Sequence, residues 1–174
     1  MRRCIPILAL LLLSACAQDD PVNPYATQLA KVPRPPKYAV VRVQHPSFTW
    51  AQAERLAKRY VNRALGIAGG HLVVITSAEE QAQVFNMGGG GCWIGLRQTD
   101  KTDEPLGSWQ WVDGKDLVHG ESGWLPYANW MAGEPNDWWG YNGGEDVAVM
   151  ENDGTWNDMP ADYLYNCYIV EDNN

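Results

Sequence analysis

Between residues 133 and 158 the chain concentrates side chains that carry oxygen. Glu134 and Asn136 flank Pro135, and Asp137 follows them. Glu145-Asp146 comes after a glycine-rich stretch, and Trp156 precedes Asn157-Asp158. No His or Cys interrupts the set. Hard oxygen donors of this kind disfavour a zinc site and suit calcium, which takes about six to eight oxygens at roughly 2.3–2.6 Å. The carboxylates supply charge. The amides of Asn136 and Asn157 supply a neutral oxygen and an N–H donor. A site that mixes the two holds an ion and still exchanges hydrogen bonds with a pair of ligand hydroxyls. A cis Pro135 would turn Glu134 and Asn136 to one side, and cis bonds are confined essentially to X–Pro pairs. Taken singly, Glu-Pro-Asn and Asn-Asp are more often plain turns. Their order and spacing together favour a metal.

Carboxylates alone also raise the question of catalysis, since Glu134 and Asp158 as a pair resemble the acids of a glycosidase. Acids committed to a cation are poor proton shuttles. His45, His71 and His119 lie in separate segments, and neither a Ser–His–acid nor a Cys–His set is present. The expectation is a binding module, not an enzyme.

The elements that must position these residues occupy the later part of the 174-residue chain. At the start, Arg2-Arg3 precedes an apolar run from Ile5 to Leu13 that is too short to span a bilayer, which needs about 20 residues. It reads as a secretory signal over residues 1–15. Leu13-Ser14-Ala15-Cys16 resembles a bacterial lipobox, which implies lipidation at Cys16 and, with Ala17 following, an outer-membrane location in a bacterial cell envelope, on its periplasmic or surface face. Residues 16–37 are proline-rich and read as a tether, on the order of 70 Å if fully extended. The domain proper is expected over residues 38–174.

Without residues 1–15 the chain has 11 basic and 21 acidic residues, a net of −10. That argues against nucleic acid or an anionic membrane face as partner, leaving the lipid as the only expected membrane contact. Two of four cysteines remain after the leader and the lipidated residue are set aside. In an oxidising compartment, Cys92 and Cys167 are expected to pair.

Tyr38 to Val43 is rich in β-branched residues and predicts a strand. Thr49 with Gln52 forms a capping box, and Trp50, Ala53, Leu56, Ala57, Tyr60, Val61 and Ala64 repeat at helical spacing. His71 to Thr76 predicts a second strand. Ser77 with Glu80 opens a second helix running to about Met87. Beyond Cys92 the character changes to short β segments at 93–96, 108–112, 147–150 and 168–170, joined by long polar loops. Eight of the nine tryptophans fall from residue 93 onward, where long loops need large rigid side chains to hold them. The fold class is α+β.

The ordered motifs resemble the C-type lectin-like domain, of the bacterial single-domain sort. The likeness runs from about Tyr38 to Asp172. It includes Thr49-Trp50, Gly69-Gly70-His71-Leu72, Trp93-Ile94-Gly95-Leu96, Trp109-Gln110-Trp111, Asn129-Trp130, Gly133-Glu134-Pro135-Asn136, Gly144-Glu145-Asp146 and Gly154-Thr155-Trp156-Asn157-Asp158. It implies two helices with short antiparallel sheets and a long calcium-binding loop region. By the resemblance, Glu134, Asn136, Glu145, Asn157 and Asp158 ligate a calcium ion, with sugar hydroxyls completing its shell through Glu134, Asn136, Glu145 and Asn157. A second ion would use Asp100, Glu104, Asp137 and Asp146 together with Glu145. Glu-Pro-Asn resembles members that take mannose-type sugars. The following loop, with Trp138 at the offset of a stacking aromatic, looks more like galactose binders. The positions that hold the family's usual cysteines match Val147, Ala161, Ala64 and Val170, which implies apolar packing in place of those disulfides. The segment 117–125 looks like an insertion. The leading expectation is a calcium-dependent carbohydrate-binding lipoprotein. The alternative is a protein-binding adhesin or envelope module in which calcium only fixes the loops.

Overall fold

The computed structural model describes residues 37–102, 104–114, 117–118, 127–138 and 143–173. The expected leader, the tether up to residue 36, Cys16, His119, most of the 117–125 segment and Trp139 lie outside the described residues. Among the described residues no helix is long and apolar enough to cross a membrane.

In chain order the elements are β1 (Tyr38–Arg42), α1 (Trp50–Ala57), β2 (Val61–Asn62), β3 (Ile67–Ala68), β4 (Gly70–Leu72), α2 (Ala78–Val84), β5 (Cys92–Gln98), β6 (Trp109–Trp111), β7 (Leu117–Val118), β8 (Val147–Met150), β9 (Trp156–Met159) and β10 (Cys167–Asp172). Eight strands form one sheet. The path β1-β10-β5-β6-β7 is joined by β4 on β10 and by the β8–β9 pair on β5. All pairings are antiparallel except β10 with β5.

Both faces of this sheet are covered, which explains why its strands read as apolar runs rather than as clean alternation. Cys92, Ile94, Leu96, Ala148, Met150, Cys167 and Ile169 belong to one core cluster, with Val84 of α2 and Trp109, Trp111 and Trp156. Trp93, Val147, Val149, Tyr168 and Val170 belong to the other, with Trp50, Ala53 and Ala57 of α1. Gly95 lies where the layers come closest. A Cβ there would approach within 2.5 Å of the Leu72 carbonyl oxygen.

The Thr49 cap forms as expected, with Thr49 Oγ1 accepting from the Gln52 amide at 3.3 Å and Gln52 Oε1 accepting from the Thr49 amide at 3.0 Å. The helix it opens stops at Ala57, seven residues before the helical repeat ends at Ala64. An Asx turn, in which the Leu65 amide donates to Asn62 Oδ1 at 3.1 Å, and Gly66 at φ +69° make a β2–β3 hairpin instead. Val61, counted on the apolar face by its spacing, is 64% exposed.

The second strand is also shorter than expected. Val73 and Val74 leave the ladder, the Val73 amide donating to Ile169 O and the Val74 amide to Glu171 Oε2. Ser77 caps α2 through the Glu80 amide, but the Glu80 carboxylate turns back to the Thr76 amide and hydroxyl, both at 2.8 Å, rather than to Ser77. After Val84 the helix widens into a π turn, Phe85–Gly89.

Cys92 and Cys167 form a disulfide across 75 residues, with Cα atoms 4.4 Å apart, joining β5 to β10 as expected. The expectation that apolar packing replaces the other two disulfides needs correction. Val147 and Val170 are buried, but Ala64 and Ala161 are exposed, so neither pair packs as a unit.

Candidate functional site

The site is built on β9. Taken singly, Asn157-Asp158 reads more often as a turn. In the structure these residues form a strand, with Val149 opposite Asn157 and Ala148 opposite Asp158 on β8. A fully buried Trp156 fixes that strand from below. Its indole Nε1 donates to Gln81 Oε1 at 2.8 Å, and Trp111, Tyr127 and Trp130 meet it edge-on with ring centroids 5.6, 5.8 and 5.9 Å away. Gln81 in turn donates to Gly154 O at 2.6 Å. The Trp156 backbone binds the loop entering the site, donating to Asn129 O and accepting from the Met131 amide.

The Asp158 side chain has no exposed surface, and backbone amides satisfy it. Its carboxylate accepts from the Asn136 amide at 3.0 and 3.2 Å and from the Asp137 amide at 2.8 Å. Glu145, also buried, accepts from the Trp138 amide at 2.9 Å, and the Glu145 amide donates to Asp137 Oδ1 at 2.8 Å. Asp158 and Glu145 thus grip the backbone of residues 136–138, and Asp137 holds the Glu145 amide in return, which locks this segment to β9 and to the residues before β8. The Glu134–Pro135 bond is cis, as the motif suggested, and Asp137 sits at φ +45°. Gly144, at φ +75°, leaves room for the Asp137 carboxylate, which any Cβ at that position would strike.

Glu134 is gripped less completely. Its Oε2 is buried and has no hydrogen-bond partner. Burial pushes its carboxyl up to about 7, and the Asp158 carboxylate within hydrogen-bonding range and the Glu145 charge push the same way. Glu145 is raised too, first by burial, against the opposing pull of the Trp138 amide. Crowded, desolvated carboxylates behave this way when no cation neutralises them. The donor set, all oxygen with one buried oxygen unpartnered, fits a hard divalent cation.

Glu134, Asn136, Asp137, Glu145 and Asp158 therefore come together, with Asp146 and Asn157 next to them along the chain. Among the described residues no group of three His, Cys, Asp or Glu is poised as a metal cage. Asp158 and Glu145 spend oxygens on backbone amides, and two members of the expected set are asparagines. Asn136 is exposed, and Asn157 is partly buried with its Nδ2 3.6 Å from Met159 Sδ. Trp138 is 57% exposed. Asp100 stands apart: its Oδ1 closes a local turn on the Thr102 amide and hydroxyl, which hold its carboxyl below the usual range.

Two contributors were missed by sequence reading. The Lys101 ammonium touches the acidic set directly at Asp146 Oδ2, 2.5 Å away, while the Gln98 main-chain amide donates to the Asp146 carbonyl oxygen at 2.8 Å. No motif marks either residue.

The family model described as the lectin C-type domain matches residues 47–169. The chain belongs to the C-type lectin domain family. Human C-type lectin domain family 10 member A is 38% identical over 117 residues, covering 66% of this chain and 31% of that protein. Rat asialoglycoprotein receptor 1 is 40% identical over 112 residues, covering 63% of this chain and 32% of that protein. The chain thus spans about a third of the length of these curated relatives. Among solved structures, the cow C-type carbohydrate-recognition domain of CD23, determined in the presence of a GlcNAc2Man3 oligosaccharide, aligns with a TM-score of 0.57 at 28% identity, covering 79% of this chain and 88% of that one.

These relatives correct one expectation. A bacterial outer-membrane lipoprotein was expected from the first residues of the chain. The relatives are animal lectins, one a receptor by name, and they point away from a bacterial outer membrane.

Proposed function

We propose that this domain binds carbohydrate through a calcium ion held by Glu134, Asn136, Glu145, Asn157 and Asp158. The observation that carries the reading is the buried, unpartnered Glu134 Oε2 on a carboxylate crowded by Asp158 and Glu145, an arrangement that a divalent ion would relieve. When bound, calcium supplies a coordination shell that sugar hydroxyls complete. The chain's own part is to present oxygen on a backbone already immobilised by Asp158 and Glu145. Asn136 and Asn157 give the hydroxyls a donor beside the ion. The oligosaccharide of the CD23 domain and the receptor names of the relatives support sugar as the ligand class.

Glu-Pro-Asn favours a mannose-type sugar, while the exposed Trp138 offers an aromatic face to the apolar side of a hexose, where the gain is mainly area burial. A glycan array probed with calcium and again with chelator tests the proposal. Chelator-reversible binding to mannose-type glycans is the expected result. If calcium leaves the melting temperature unchanged and no glycan binds reversibly, the reading is wrong. If Asn136→Ala and Asn157→Ala keep calcium and glycan binding intact, sugar contact through these amides is excluded.

A further inference from the structure

We propose that Lys101 is a tethered cation that fastens the loop after β5 to the segment before β8 in place of a second calcium ion. The inference concerns the neighbouring acids and rests on the Proposed function only in taking this end of the domain as a cation site. The resemblance implied that Asp100, Glu104, Asp137 and Asp146 could hold a second ion beside the first. Many of their oxygens are already committed. Asp100 is exposed, and its Oδ1 is spent on Thr102 at 2.9 and 2.7 Å. Asp137 Oδ1 is spent on the Glu145 amide. Asp146 Oδ2 holds the Lys101 ammonium at 2.5 Å, and the same ammonium reaches Gly143 O at 3.0 Å.

Among the described residues, three side-chain oxygens here stay buried and unpartnered: Gln98 Oε1, Glu104 Oε2 and Asp146 Oδ1. Three fall short of the six to eight or so that calcium takes, and Asp146 Oδ2 and Gly143 O, which would extend the set, are held by the Lys101 ammonium. Glu104 feels its neighbours. After burial and the Gln98 hydrogen bond, Asp137 and Asp146 raise its carboxyl and Lys101 lowers it. An ammonium carries three donors, and a divalent ion arriving at Asp146 would meet a positive charge already in place. Lys101 is 60% exposed, so as an ion pair it adds little to folding. Its effect is on what else these oxygens can hold. The Gln98 main-chain amide, donating to the Asp146 carbonyl oxygen at 2.8 Å, is a second tie between the same two segments.

Counting calcium ions per chain by native mass spectrometry and calorimetric titration tests the idea, using the full chain, Lys101→Met and Lys101→Arg. Lys101→Met should bind one more ion than the unaltered chain, and Lys101→Arg should not. Asp146→Asn added to Lys101→Met should remove the extra ion. If Lys101→Met binds no more ions than the unaltered chain, Lys101 does not stand in for a metal. The difference between variants reads the role of Lys101. The absolute number in the unaltered chain, zero or not, reads the calcium proposal separately. Far-UV circular dichroism on each variant confirms that the counts refer to folded protein.

Discussion

The half of the domain around β1, β4, β5 and β10 and the half around β9 and the 134–138 segment are held by different physics. In the first half, apolar strands lie between two helices, and a disulfide joins β5 to β10. In the second, regular structure is sparse. Outside the β8–β9 ladder, tryptophan edges and carboxylates bonded to backbone amides hold the loops. Area burial is non-directional and tolerates exchange of similar side chains. A buried acid that accepts amides has no substitute of equal chemistry. The second half is therefore the more specific and the more fragile, and the one whose groups are arranged to take a ligand.

The largest effect should come from the first half. Replacing Cys92 and Cys167 together with Ser opens a cross-link spanning 75 residues, which the chain-entropy model values at about 4.5 kcal/mol. Urea titration should show a loss of that order while calcium response in the folded protein persists. A calcium response lost at the same time would mean that the two halves are not separable.

Asp158→Ala should cost about 3 kcal/mol, since it removes the buried carboxylate that accepts the amides of Asn136 and Asp137. Unlike the disulfide change, it should abolish the calcium-induced rise in melting temperature. Unaltered stability would show that the amides find other partners and that the grip described above is incidental.

A pH profile sharpens the comparison from the other side. Glu171, on β10, is pushed up to about 7 by burial, with Glu80 and Asp113 adding to the effect and the Val74 amide and His71 opposing it. A carboxyl whose folded pKa is raised binds its proton more tightly when folded. Stability should therefore rise as pH falls through about 7 and level off near the ordinary value of 4.5. In chelator, Glu171→Gln should flatten part of that rise and raise the melting temperature at pH above 7. A slope that persists unchanged would place the titration elsewhere.

The smallest effect on folding is expected at Trp138, which is 57% exposed. Trp138→Ala should change stability by about 0.5 kcal/mol or less. Its readout is the glycan array, where affinity or preference should move. An unchanged array would leave Trp138 no part in recognition.

Much of the first half was legible in the sequence. The Thr49 cap, the Tyr38, Trp93 and Val147 strands, the disulfide and the α+β class all rest on local signals or on cysteine count. The helix boundary was not legible, because Tyr60, Val61 and Ala64 keep a helical spacing while Asn62 and Gly66 impose a turn. In the second half the ligand types could be read, but their supports could not. Asn157-Asp158 looks like a turn in isolation and becomes a strand only because Val147–Met150 pairs with it. Lys101 carries no motif. Its role depends on a partner 45 positions away.

Asp158 and Glu145 hold the amides of residues 136, 137 and 138, not their side chains. Every amino acid except proline carries that amide. The side chains at 136 and 138 are exposed, so substitutions there leave the clasp intact. Selection can rewrite the recognition surface at these positions without refolding the frame that displays it.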